Sequence, residues 1–220
     1  CEISLNGTIL HCPDPHDFWI DICFKKLPVP QGLIRQGRNV VAVKTDFKRT
    51  TNIECLYLVG DFGVMTEGTR RTLTTLPKKI GNENIDQYHL PFYTGCISYV
   101  IPAARLAEST LREGERILLK VPSFCGSLVK ASLTDGSNKI VMAWDPFEAD
   151  VTDFVLAGKD VHLTLVCSRR NLFGPLHILP VRQGSYWPGS FVTSGPGWSD
   201  AYALLDSGIF EIERVKIVQA

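Results

Sequence analysis

The chain has 220 residues, 45% hydrophobic and 21% charged, enough for one large β domain or two modest ones with a real core. Its 23 basic and 23 acidic residues cancel, which argues against a nucleic-acid or anionic-membrane surface, since both need a basic excess. No apolar run approaches the roughly 18 residues of a membrane span, and the seven cysteines are scattered without a C-x-x-C pair, so metal ligation by spacing has no support.

Along the chain, one pattern occurs twice. Leu5-Asn6-Gly7-Thr8 is followed fourteen residues after its glycine by Asp21, and Leu133-Thr134-Asp135-Gly136 is followed at the same distance by Asp150. Each copy then closes on a glycine and an alternating strand, Gly37-Arg38-Asn39-Val40-Val41-Ala42-Val43 and Gly158-Lys159-Asp160-Val161-His162-Leu163-Thr164-Leu165. Two copies of one β unit follow. The first starts almost at residue 1 with a stub of its leading strand, so the chain reads as an excised piece of something longer.

Residues 55–60 are an apolar run that predicts a strand, closing a partial jelly-roll unit over residues 1–65. The basic pairs Lys48-Arg49 and Arg70-Arg71 read as solvated loops. Residues 66–90, rich in Thr and Lys, read as a connection. From 91 to 220 a more complete jelly roll is expected, with strands over 93–101, 115–121, 129–133, 140–144 and 161–167. Residues 210–217 alternate with a slip near Arg214 that suggests a bulge. Only residues 103–111 offer a short helix. Asp135-Gly136 supplies positive-φ residues for a hairpin. Cys96 and Cys167 read as small core residues in apolar strands. Free thiols are expected, with one or two bridges in a secreted parent as the alternative. The whole predicts an all-β, antiparallel jelly-roll sandwich of two related units, the first incomplete.

Chemistry concentrates after residue 167. Arg169, Asn171 and His177 leave a core strand, and the Gly/Pro/Trp-rich loop 172–198 adds Trp187 and Trp198. Flat indoles suit the C–H faces of sugar rings, while Arg and Asn suit neighbouring hydroxyls, so these five residues are the candidate carbohydrate-binding set. The structural alternative has Arg169 and Asn171 tying down the loop, His177 capping a carbonyl and the two Trp wedging the loop onto the sandwich. Asp21 and Asp150, matched in the repeat, read as turn or capping aspartates rather than acids or bases. No pair of carboxylates is positioned for glycoside cleavage, and no nucleophile elbow or nucleotide-binding glycine motif is present, so no catalytic residue and no cofactor is expected in this chain. Asp200 and Asp206 are the one hint of structural calcium, and two carboxylates fall short of the six to eight oxygens that ion takes.

The repeated order of strand, Asn/Asp-Gly turn, strand, aromatic segment, Asp-Val-Thr-Asp and Gly-Lys-Asp-Val-His-Leu-Thr-Leu resembles the galactose-binding-like jelly rolls that accompany glycoside hydrolase barrels, as in the β-galactosidase and β-glucuronidase superfamily. Tyr57-Leu58-Val59-Gly60-Asp61-Phe62-Gly63-Val64, Leu90-Pro91-Phe92-Tyr93-Thr94-Gly95 and Asn171-Leu172-Phe173-Gly174-Pro175-Leu176-His177 are similar to large bacterial glycosidases related to α-L-rhamnosidases. The resemblance implies a non-catalytic accessory region, supporting the catalytic domain of the same polypeptide and binding carbohydrate, with a structural or protein-interaction sandwich as the alternative. Neither nucleic acid nor membrane is an expected partner, and a bacterial cytoplasmic and a secreted or periplasmic setting both fit. Thr134-Asp135-Gly136 stands where the family has Asn-Gly, which tells against a ligand role for that turn.

Overall fold

The computed structural model describes residues 1–51, 55–107, 111–181 and 184–218. They form two compact units, Cys1–Leu58 and Val59–Ala220. Every strand pair is antiparallel, and the helices among the described residues are one-turn elements.

In the first unit β1 (Glu2–Leu5), β2 (Thr8–Ile9) and β3 (Val41–Lys44) form a sheet of order β2-β1-β3. Asn6 and Gly7 turn the hairpin at φ 51° and 85°, the paired positive values that match strand twist and that Asn and Gly tolerate best. Trp19, Phe24 and Tyr57 pack on one another, Phe24 and Tyr57 edge-on at 5.4 Å. Among the described residues of this unit, only Leu5 is a buried hydrophobic side chain. The strand expected over residues 55–60 does not form. Leu56, Leu58 and Val59 are more than half exposed, with no partner strand to take up their backbone groups.

The second unit is a sandwich. Strands β6 (Cys96–Ile101), β8 (Leu128–Leu133), β9 (Ile140–Met142) and β11 (Val161–Val166) form one sheet of order β6-β11-β8-β9. Strands β7 (Glu115–Cys125), β10 (Glu148–Asp150) and β12 (Gly208–Val218) form the other, of order β10-β7-β12. Alternation sends Ile97, Tyr99, Val129, Ala131, Val161, Leu163 and Leu165 inward from the first sheet. Ile117, Leu119, Val121, Ala149 and Ile209 come from the second, and all join a single core. Burying each such Val, Leu or Ile contributes about 1.5–3 kcal/mol. The irregularity in β12 lies between Ile209 and Glu213, just before Arg214, where the register against β7 shifts.

The segment 66–90 is more ordered than a connection. Residues β4 (Gly63–Glu67) and β5 (Arg70–Thr74) make a hairpin, and a 3₁₀ turn over Ile85–Tyr88 buries Ile85 at 1% exposure. Asn84 clamps that turn to the last strand's approach: its amide donates to Asp206 at 2.6 Å and its oxygen accepts from the Ser207 amide.

Two cysteines part company. Cys167 is buried at 4%, whereas Cys96, at the outward phase of β6, is exposed. No disulfide joins any two of the seven cysteines.

Candidate functional site

The repeated aspartates are turn residues in both copies. Asp21 accepts from the Cys23 amide at 2.9 Å, and Asp150 accepts from the Thr152 amide at 3.0 Å, each two residues on. Asp150 thereby serves the first amide of α2 (Thr152–Leu156) and also takes the Thr152 hydroxyl and the Arg116 guanidinium. Partial burial raises its pKa, but these three donors outweigh it and hold the carboxyl below its ordinary value. At the second matched position Asp160 accepts from the Ala103 amide, serving the start of α1 (Ala103–Leu106), the short helix expected there. The Asp135-Gly136 turn differs from Asn6-Gly7. Only Gly136 has positive φ, and its amide bonds Leu133 O at 2.8 Å, so a type I turn precedes a glycine bulge.

The loop after β11 begins with α3 (Arg170–Phe173), a turn that sequence pattern did not reveal. Its base is zipped. Ser199 N donates to His177 O, Leu179 N to Gly197 O, and Ala203 N to Leu176 O. Ile178 and Trp198 form a bridge across the same gap.

The five candidate residues divide into two groups. Asn171 is 7% exposed; its amide donates to Pro91 O and Leu205 O, and its oxygen accepts from Leu205 N. Those three bonds tie the loop to segments 80 and 34 residues away. His177 donates from Nδ1 to Ser199 O at 2.7 Å, since a carbonyl can only accept. Its ring stacks on Trp198 at 4.5 Å and 22°, and the Trp198 indole donates to Asp200. Trp198 is therefore half-buried and anchored. Trp187 and Arg169, by contrast, are exposed, Trp187 at 64%, and Phe191 beside it is 54% exposed. The structure thus brings His177 and Trp198 together and leaves Trp187 and Arg169 apart from them, at the surface.

Residues without a local signal complete the cluster. Tyr202 packs on His177 at 5.0 Å and edge-on against Phe92 at 5.3 Å. The Arg71 guanidinium lies 3.6 Å over the Tyr202 ring. Arg71 is thus a half-buried residue of β5 rather than part of a solvated loop, while Lys48 and Arg49 are exposed. Arg70-Arg71 lies more than 120 positions from Tyr202, so no spacing pattern could have paired them.

Asp200 and Asp206 are engaged separately, by Trp198 and by Asn84. Among the described residues no group of three His, Cys, Asp or Glu side chains is placed to hold a metal ion. No family model matches the chain, and neither a curated protein nor a solved structure matches it. What the site can do is therefore read from its own geometry: a braced loop base and an outer surface of bare aromatic rings.

Proposed function

We propose that the chain is a non-catalytic accessory region of a glycoside hydrolase, a galactose-binding-like jelly roll that supports the catalytic domain of its own polypeptide and takes carbohydrate on the 172–198 loop. One observation carries this reading: the loop is firmly founded yet presents exposed rings. Asn171 and the His177–Trp198–Tyr202 stack fix its base, while Trp187 and Phe191 face solvent. An indole held on a fixed base meets the C–H face of a sugar ring with little ordering cost. Arg169, exposed where the loop begins, adds a planar fork for neighbouring hydroxyls.

A structural or protein-interaction sandwich without sugar affinity is the second reading. It is favoured by Asn171, His177 and Trp198, whose polar atoms bond within the protein. Titration of the intact chain with neutral galactosides, rhamnosides and plant-wall oligosaccharides, followed by Trp fluorescence, separates the two. A saturable change is expected, lost in Trp187→Ala and weakened in Arg169→Ala at unchanged melting temperature. Silence at millimolar ligand would leave the structural reading standing. Turnover of an aryl-glycoside panel by this chain would overturn the non-catalytic assignment.

A further inference from the structure

Away from the loop, the solvent-facing side of the four-stranded sheet collects a second set of polar groups. The period that turns Ile97, Leu165 and Val129 inward turns Ser98, Thr164 and Lys130 outward, and the strand register sets these three side by side. In the next outward row, His162 lies beside Ser132. With Lys139 from the β8–β9 hairpin they line a cavity of about 270 Å³, near the small end of ligand pockets.

Charge and hydrogen bonding distinguish this groove from an ordinary wet sheet face. Lys130, Lys139 and His162 line it, and no carboxylate does. Among the described residues neither lysine has an ion-pair partner. The neighbouring Asp135 accepts from the Ser137 amide at 2.8 Å and does not line the groove. Ser132 is only 9% exposed, yet its hydroxyl has no hydrogen-bond partner among the described residues. Opening onto the groove, that hydroxyl is available to bond a ligand there. Ser98 and Thr164 share a hydrogen bond at 2.8 Å, so one of the two hydroxyls keeps its proton to donate.

We propose that this groove binds an acidic sugar, a hydroxylated ring carrying one oxyanion, either carboxylate or sulfate. Lys130 and Lys139 supply the countercharge. Ser132 and the Ser98–Thr164 pair meet ring hydroxyls. No Phe, Tyr or Trp lines the groove, which separates this site from the loop: recognition here is by charge and hydrogen bonds. The proposal stands whether or not Trp187 binds a neutral sugar.

The test is titration of the full ¹⁵N-labelled chain with galacturonate, galactose 6-sulfate, galactose and inorganic sulfate, followed by amide shifts. Both acidic sugars should saturate shifts at Ser132, His162 and Thr164, and galactose should bind at least about tenfold more weakly. Lys130→Gln combined with Lys139→Gln should raise Kd for the acidic sugars about tenfold or more. Ser132→Ala should weaken them severalfold, and Trp187→Ala should leave them unchanged. A response to only one of the two acidic sugars assigns the oxyanion within the proposal and supports it. No shift on this face at tens of millimolar ligand overturns it, as does inorganic sulfate binding as tightly as the sugars, which would mark a bare anion site. Loss of binding in Trp187→Ala with retention in the lysine variant would overturn it too, placing the ligand on the loop. If the double variant fails to fold, Ser132→Ala and the galactose comparison decide.

Discussion

Strands β3 and β11 are reached by the same approach, Gly-x-Asn-Val in one and Gly-x-Asp-Val in the other, and end in opposite surroundings. Val40, at the place of Val161, is 47% exposed and every residue of β3 is exposed, whereas Val161, Leu163 and Leu165 are 0% exposed. The turn chemistry is shared and the burial is not. β11 lies between β6 and β8 with the second sheet across the core, while β3 pairs with β1 alone in a three-stranded sheet. Alternation says which residues share a face; only the elements packed on that face decide whether it is buried.

The sharpest way to break this contrast is to cut both strands. Leu163→Ala should cost about 2–5 kcal/mol by lost transfer energy and the cavity left behind. Val43→Ala should cost under about 1 kcal/mol, a matter of strand preference. Urea unfolding measures both, and equal losses would mean that β3 is buried in solution. Next in size, Asp150→Ala should destabilise the second unit by about 1 kcal/mol through loss of its bonds to the Thr152 amide and hydroxyl and to Arg116. Asp21→Ala should cost less, because its turn starts no helix and lies at the surface.

The aspartates differ in pH response as well. Asp150 has a folded-state pKa below its unfolded value, so its contribution is complete at neutral pH and is lost as pH falls below about 4. Asp150→Asn should flatten that acid limb of the unfolding midpoint, and an unchanged limb would remove Asp150 from the account. The smallest effect concerns thiols. Burial pushes the Cys167 thiol up, against a partial offset from Ser207, so it should resist alkylation in the native state while exposed Cys1, Cys23, Cys55 and Cys96 react within the first minutes. Mass spectrometry of the labelled chain reads this directly.

Most of the sandwich was legible because its strands have partners that honour their alternation: residues 161–166, 129–133 and 115–121 all lie in β structure. The turn role of Asp21 and Asp150 was legible for the same reason, since an Asx turn needs only the two residues that follow. Failures came where the outcome depends on distant chain. Residues 55–60 are as apolar as a core strand and pair with no strand among the described residues. Cys96 is one residue out of phase with the buried positions of β6, so the apolar run around it misled. In the loop, the anchoring of Asn171 by Pro91 and Leu205 and the Arg71–Tyr202 contact join residues far apart in sequence, and periodicity carries no information about them. The outward face of the four-stranded sheet was hidden differently: each polar residue there is unremarkable by itself, and only register assembles the row.

The zipped base of the 172–198 loop has a consequence for how the chain tolerates change. With residues 176–179 already paired to 197–203, the entropy of closing the loop is set at its neck, and each doubling of the length beyond would add only about 0.6 kcal/mol. The neck therefore sets how much a change of loop length costs, while Tyr186, 4.8 Å from the Arg170 guanidinium of α3, ties the loop's composition to its foundation.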